Sequence, residues 1–194
     1  MLPKKWTSDV PTDSWADERL VTECVNGNEE AWAALIEKYK NLIFSIPVKL
    51  GFSRDDAGEI FQQVCLKLLR ELPRLRDPGS LTGWLIRVTS HSCYEWHRRE
   101  RRYESVSEQS WAQLSGNDTA DTVTREAERE QILREALRET RPRCRQLMEM
   151  LFFENPPMSY GEIANRLGLA TGSIGFIRMR CLRNLREILT RKGF

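Results

Sequence analysis

Apolar residues recur along this chain every three or four positions, the spacing that places them on one face of an α-helix. No stretch alternates as a β-strand would, and no sequence repeat is present. Asn28 and Ser53 precede apolar periods as candidate N-caps, and Pro47 predicts a kink. The pattern predicts an all-α fold, with two helices in 17–50, others over 54–72, 83–102, 125–138 and 144–152, and two more in 159–190.

Between residues 102 and 125 the apolar period disappears and the chain becomes polar and acidic, as in flexible connections. Trp6 and Trp15 are apolar exceptions near the N-terminus that could dock on another surface. We therefore predict two small helical domains joined by a flexible linker. Their bounds are a flexible tail over 1–16, a first domain over 17–102, the linker over 103–124 and a second domain over 125–194.

Charge is informative here through its distribution rather than its sum. The 194 residues carry a formal net charge of only +2. Basic residues cluster at 98–102 and after 178, whereas acidic residues cluster between 104 and 139. No apolar run is long enough to span a membrane, and the N-terminus lacks the apolar core of a signal peptide. We expect a cytoplasmic protein with no membrane insertion.

The five cysteines are scattered and odd in number, which favours reduced thiols over a disulfide framework. His91, Cys93 and His97 lie close together in the sequence, but they lack the spacing and the fourth ligand of a zinc site. No nucleophile lies beside a base in a recognisable motif, and no pair of carboxylates suggests metal catalysis. We expect no metal, no cofactor and no enzymatic activity.

Residues 159–185 contain two short helical patterns around a turn at Gly168. Ser159 and Glu162 have the spacing of a capping box, and glycine tolerates the positive φ that such a turn requires. This is the arrangement of a helix-turn-helix, whose second helix enters the major groove of DNA. Six of the residues from 171 to 194 are Lys or Arg and one is acidic, which favours DNA over an ordinary helical hairpin.

Two earlier helices also have distinctive outer faces. The helix over 83–102 interleaves arginines with aromatic residues, a combination that suits single-stranded nucleic acid because rings stack on bases and cations hold phosphates. The alternative is a surface helix with buried tryptophans. The helix over 54–72 has an outer face of acids and amides, which is more often simply solvated.

The whole arrangement resembles a bacterial sigma factor of the extracytoplasmic-function class, over about residues 17–190. Three stretches carry the resemblance. They are DDAGEIFQQVCLKLLREL at 55–72, RLRDPGSLTGWLIRVTSHSCYEWHRRERR at 74–102 and SYGEIANRLGLATGSIGFIRMRCLRNLREIL at 159–189. In the family these segments bind core RNA polymerase, melt and read the minus-ten element, and read the minus-thirty-five element, respectively.

The resemblance implies three sets of site residues. Core polymerase would contact Asp56, Glu59, Gln62 and Gln63. The minus-ten element would contact Asp77, Ser80, Arg87, His91, Tyr94, Arg98, Arg99, Arg101 and Arg102. The minus-thirty-five element would contact Thr171, Ser173, Gly175, Phe176, Met179, Arg180 and Arg183.

Several of these positions depart from the family pattern. Gln63 stands where an acid is usual, and His91 stands where Asn is frequent. Gly175 and Ile177 occupy positions where basic residues are frequent, and Arg178 is a candidate to compensate for them, as is Arg180. The promoter sequence is therefore not expected to follow the common family consensus.

The function implied is an alternative sigma factor that gives core RNA polymerase its promoter specificity. Its partners would be core RNA polymerase, promoter DNA as duplex and as unstacked single strand, and an anti-sigma factor. One alternative is a helix-turn-helix regulator that binds an operator without polymerase, and another is an adaptor held by an inhibitory protein. The regulator accounts for 159–194 but leaves the outer faces of 55–72 and 83–102 without a task.

Overall fold

The computed structural model of the protein describes residues 15–75, 77–103 and 117–194, without the side chains of 100–103 and 117–120. The all-α prediction is confirmed, since no strand occurs within these ranges. The helices are α1 (Asp17–Val25), α2 (Glu29–Lys49), α3 (Arg54–Glu71), α4 (Leu81–Tyr103), α5 (Asn117–Glu139), α6 (Pro142–Phe152), α7 (Tyr160–Leu167) and α8 (Ile174–Arg191). Short 3₁₀ turns lie at Leu72–Arg74, Pro78–Ser80 and Thr171–Ser173.

The chain divides into two compact units, 1–130 and 131–194, with the division inside α5. Helix α5 begins at Asn117, earlier than the predicted 125, and Val123 and Ala127 are buried in the core of the first unit. Most of the predicted linker lies outside the described residues, as does all of the predicted tail except the stretch from Trp15. The functional domain bounds stay predictions.

In the first unit, α1 to α4 enclose a continuous apolar core. Its fully buried side chains include Leu20, Leu35, Leu42, Ile43, Ile46, Ile60, Leu68, Leu81 and Leu85. Trp15 is also buried there, so this tryptophan docks on its own domain. Burial of apolar side chains supplies the main driving force for such a fold, at roughly 1.5–3 kcal/mol per large side chain.

A buried tyrosine ties three elements of this unit together. The Tyr39 hydroxyl donates to Asp17 Oδ2 at 2.8 Å and lies 3.2 Å from Thr82 Oγ1. Asp17 also pairs with Lys38, with Nζ to Oδ1 at 2.8 Å. The hydroxyl therefore finds partners inside the protein, as a buried polar group must.

The sequence signals for helix ends in this unit are largely confirmed. The Asn28 side chain accepts from the backbone N–H groups of Glu30 and Ala31, and Ser53 accepts from that of Asp56. Pro47 lies inside α2, which continues to Lys49. Helix α4 begins at Leu81, two positions earlier than predicted, because that leucine is itself a core residue.

The second unit contains the predicted helix-turn-helix. Ser159 accepts from the backbone of Glu162, whose carboxylate accepts from the Ser159 N–H at 2.8 Å, so the predicted capping box is present. Gly168 ends α7 with φ of 61°, a left-handed conformation that favours glycine. The small core includes Leu147, Met148, Ile163, Ala164 and Ile174. A second cluster contains Ala136, Leu185 and Ile188.

The expectation of reduced thiols throughout is wrong for one pair. Cys144 of α6 and Cys181 of α8 form a disulfide with a Cα–Cα distance of 5.4 Å, across 37 positions of sequence. Both residues belong to inner faces that pack together, which brings them within bonding distance. Cys24, Cys65 and Cys93 are free, and burial raises the pKa of Cys93 to about 12, so this thiol stays protonated at neutral pH.

Candidate nucleic-acid and polymerase surfaces

The α3 outer face consists of the four residues predicted to contact polymerase: Asp56, Glu59, Gln62 and Gln63. Glu59 and Gln62 are exposed and lie on the side of α3 opposite its buried residues Ile60, Val64 and Leu68. Asp56 is half-buried and has a structural task, since its Oδ2 accepts from the Ser53 hydroxyl at 2.6 Å. Gln63 is half-buried as well.

Two leucines extend this surface in a way that the sequence reasoning missed. Leu66 and Leu69 are 54% and 55% exposed. With Glu59 and Gln62 they follow one another at three- and four-residue steps along α3, so the four share one helix face. The available signal was that both leucines fall outside the 60, 64, 68 period of the buried face. Exposed apolar side chains beside polar ones are typical of protein interfaces.

The α4 stripe consists of Arg87, His91, Tyr94 and Arg98, all exposed. Their spacing of four, three and four residues places them on one face of α4, opposite Leu85 and Cys93. Tyr94 exposes 58% of its surface. Arg99 is exposed next to this stripe, while the side chains of Arg101 and Arg102 lie outside the described residues.

A salt bridge joins α3 to α4 beside this stripe. Glu95 accepts from Lys67 Nζ of α3 at 2.9 Å, and Lys67 also donates to the buried Ser92 hydroxyl at 3.1 Å. The hydrogen bond from Lys67 lowers the pKa of the Glu95 carboxyl, against the effect of partial burial. His91 Nδ1 lies 3.7 Å from the same carboxylate. The imidazole is therefore placed between a carboxylate and open solvent.

The turn that contains the predicted minus-ten residues Asp77 and Ser80 precedes α4. Asp77 Oδ1 accepts from the Gly79 N–H at 3.0 Å, and the Ser80 hydroxyl donates to the Asp77 carbonyl at 2.7 Å. Both residues are exposed. Their side chains thus shape the Pro78–Ser80 turn while remaining accessible, so that a ligand would meet a preformed turn.

The α8 face consists of Phe176, Met179, Arg180 and Arg183, all exposed and opposite the buried Ile174, Cys181 and Leu185. Phe176 exposes 71% and Met179 exposes 62% of its surface. Thr171 is exposed in the preceding turn, Gly175 is half-buried, and the Ser173 hydroxyl donates to the Ala170 carbonyl at 2.6 Å. The structure thus brings most of the predicted minus-thirty-five residues to one helix end.

Arg178 does not join this face. It is half-buried, and its guanidinium carbon lies 5.9 Å from the centroid of the Tyr160 ring of α7. The geometry is that of a cation–π contact between the two helices of the motif. Its proposed compensation for Gly175 and Ile177 is therefore not supported, and Arg180 is left as the exposed cation near the start of α8.

Comparisons with known proteins show which family this chain is similar to. Residues 35–103, which include all of α3 and α4, match the family model of sigma-70 region 2. The chain is 27% identical to the ECF RNA polymerase sigma factor SigD of Mycobacterium tuberculosis, over 94% of this chain and 90% of that protein. The resemblance to sigma factors of the extracytoplasmic-function class is confirmed. The residues predicted to contact polymerase and the minus-ten element all lie within the region 2 match.

Further relatives carry the same designation of sigma factor. The chain is 22% identical to the RNA polymerase sigma factor YlaC of Bacillus subtilis, over 81% of this chain and 91% of that protein. A solved structure, CnrH in complex with the cytosolic domain of CnrY, aligns with 90% of this chain and 97% of its own, at 17% identity and a TM-score of 0.40.

Among the described residues, no helix is both long and apolar enough to cross a lipid bilayer. No group of three His, Cys, Asp or Glu residues in the same part of the chain is arranged to hold a metal ion.

Proposed function

We propose that this protein is an alternative sigma factor that binds core RNA polymerase and directs it to a specific class of promoters. The observation that carries the proposal is the region 2 match over 35–103, combined with the exposed α4 stripe inside it. SigD and YlaC, which align with 94% and 81% of this chain, are both named as RNA polymerase sigma factors. The protein would perform no chemical step itself and would act in the cytoplasm, where core polymerase is found.

The α3 outer face is the proposed docking site for core polymerase. Glu59 and Gln62 offer exposed acceptors and donors, and Leu66 and Leu69 add apolar area next to them. Such a mixture supplies both burial and directional contacts in an interface. Asp56 would act mainly by holding the start of α3, because its carboxylate is engaged by Ser53.

The α4 stripe and the Pro78–Ser80 turn are the proposed site for the melted minus-ten element. Taking a base out of the duplex costs a few kcal/mol, so the protein must offset that cost with stacking and phosphate contacts. Tyr94 and His91 present rings, and Arg87, Arg98 and Arg99 present cations on or beside the same face. Melting would thus be coupled to capture of the unstacked strand.

The α8 face is the proposed reader of the minus-thirty-five element in duplex DNA. Arg180 and Arg183 would contact phosphates or base edges, and Phe176 and Met179 would lie nearest the bases. A regulatory protein that covers these surfaces, an anti-sigma factor, is implied by the resemblance and forms part of the proposal.

The first test is co-elution of the full chain with sigma-free bacterial core polymerase in gel filtration. We expect a stable complex with the wild type and its loss in the Glu59→Arg/Gln62→Ala variant. A matched control is Glu37→Arg, which reverses the charge of an exposed acid on α2 that forms a surface ion pair with Lys40.

The control should co-elute like the wild type. If the folded wild type fails to co-elute, the sigma-factor proposal is wrong, and the operator-binding regulator becomes the better account. Loss of the complex in Glu37→Arg as well would contradict the assignment of the docking site to α3.

A further inference from the structure

The start of α8 exposes two large apolar side chains that the fold does not use. Phe176 and Met179 are 71% and 62% exposed, whereas the core positions of the same helix, Ile174 and Cys181, are buried. Both lie within the first two turns of the helix, next to Arg180. Large apolar side chains that are exposed this close together are typical of a binding surface.

Two positions at this end of the helix are glycines and carry no side chain. A Cβ atom at Gly172 or Gly175 would meet no atom within 4 Å, and neither residue has a positive φ. Neither packing nor backbone conformation therefore requires glycine there. The consequence of the missing side chains is that the helix end can approach a surface closely, with Phe176 and Met179 protruding furthest.

The charges around Phe176 and Met179 indicate which kind of molecule this part of α8 binds. Helix α8 contains Arg178, Arg180, Arg183, Arg186 and Arg191, with Glu187 as its single acid. Arg180 and Arg183 share the face of Phe176 and Met179. A duplex fits this arrangement because its phosphates flank a major groove whose one apolar group is the thymine C5-methyl.

We propose that Phe176 and Met179 recognise thymine methyl groups in the major groove of the minus-thirty-five element. This inference rests on the proposed function of α8 and specifies which chemical group the helix reads. It predicts that the element contains thymine. It also explains why Gly175 stands where a basic residue is frequent in the family, because the glycine makes room for apolar contact with a methyl group.

The test replaces thymine by uracil, which removes the methyl group and leaves the hydrogen-bonding edge unchanged. The full chain first selects its preferred duplexes from a library with a randomised block. Uracil is then placed at each thymine of the selected block in turn. At the contacted positions we expect the affinity of the wild type to fall roughly fourfold per methyl group, as for loss of one buried methyl.

The variants Phe176→Ala and Met179→Ala should bind thymine and uracil duplexes alike, each at its own contacted position. Leu182→Ala is the matched control, because it removes another exposed apolar side chain of α8 that lies off this face. It should retain the uracil penalty. All three residues are exposed, so the variants should fold.

Two negative results are distinguishable. Selection of a preferred sequence without any uracil penalty would overturn the methyl inference and leave α8 as a DNA reader. Failure to select any sequence, in a chain that still co-elutes with core polymerase, would overturn both the inference and the assigned role of α8 while leaving polymerase binding intact.

Discussion

Helices α4 and α8 both expose aromatic residues among arginines, but they do so in different ways. On α4 the Tyr94 ring lies within a long stripe of cationic residues, from Arg87 to Arg98. On α8 the apolar side chains of Phe176 and Met179 are gathered at the bare helix start. A long mixed stripe suits a strand whose bases are unstacked, and a protruding helix end suits the groove of a duplex. Under the proposed function, each outer face would therefore fit a different state of the DNA.

The two helices are also held differently. Helix α4 lies on a broad apolar core through Leu81 and Leu85 and is flanked by the Lys67–Glu95 pair. Helix α8 belongs to a unit with a smaller core, in which the Cys144–Cys181 disulfide joins it to α6. Smaller cores bury less apolar area and depend more on additional links. The second unit should therefore be sensitive to reduction and the first should not.

The largest expected effect comes from breaking that disulfide. Opening a loop of 37 positions should reduce the stability of the second unit by about 3–4 kcal/mol, because the unfolded chain regains conformational freedom. Amide hydrogen exchange on the full chain, with and without reductant, should show faster exchange in α6 to α8 and unchanged exchange in α1 to α4.

The control for the reductant is the Cys144→Ala/Cys181→Ala variant, whose exchange should not respond to it. Cys65→Ser, at a free and half-buried cysteine, should keep the response. Five reactive thiols in the protein before reduction would contradict the bond itself, and unchanged exchange after proven reduction would contradict its stabilising role.

Much of this fold could be predicted from the sequence because its helices obey local rules. The caps at Asn28, Ser53 and Ser159 and the turn at Gly168 are all short-range signals, and the structure confirms each. The three- and four-residue apolar period identified the buried faces of α3 and α8 for the same reason. Prediction was weaker where an element depends on tertiary packing rather than on local sequence signals, as at the start of α5.

The missed features depend on contacts between distant parts of the chain. Cys144 and Cys181 lie on different helices, and sequence spacing alone did not show that the inner faces of these helices meet. Arg178 was expected to face DNA, whereas the Tyr160 ring of α7 attracts it to the other side. Leu66 and Leu69 were overlooked because an apolar residue on a helix is usually assigned to the core.

A second prediction separates the two aromatic surfaces by the form of DNA that they bind. In a complex of this protein with core polymerase, Tyr94→Ala should weaken binding to a single-stranded oligonucleotide of the non-template minus-ten sequence. Loss of one stacking ring costs about 1–3 kcal/mol, roughly 5- to 150-fold in affinity. Fluorescence anisotropy of the labelled oligonucleotide gives the measurement.

Tyr94→Phe is the matched control, because it keeps the ring and should keep most of the affinity. Phe176→Ala should leave single-strand binding unchanged and weaken binding to the upstream duplex. If Tyr94→Ala and Phe176→Ala weakened both forms of DNA equally, the division of labour between α4 and α8 would be wrong.

A smaller effect is expected at the cap of the helix-turn-helix. Ser159→Ala removes the side chain that accepts from the Glu162 N–H, which should destabilise α7 by about 1 kcal/mol. Hydrogen exchange should accelerate at the first amides of α7. Ser159→Asp, which preserves an acceptor at the cap, should restore slow exchange, and a failure of both variants to change it would show that the cap contributes nothing measurable.

The smallest effect concerns the polar pair that flanks the α4 stripe. The hydrogen bond from Lys67 lowers the pKa of the Glu95 carboxyl from its usual value. A carboxyl with a lowered folded-state pKa contributes stability above its unfolded pKa, and this contribution is lost as the pH falls through the folded value. Since the Glu95 side chain is 38% exposed, solvent screening should keep the contribution within the small range of surface ion pairs.

Carboxyl NMR titration of Glu95 measures this pair directly. In Lys67→Met the titration midpoint of Glu95 should move up toward that of an ordinary glutamate, and the acid limb of first-unit stability should become less steep. The second unit should be unaffected, since Lys67 and Glu95 both belong to the first. An unchanged Glu95 titration in Lys67→Met would mean that the Lys67–Glu95 pair contributes nothing measurable to holding α4, which would sharpen the contrast with the disulfide-linked α8.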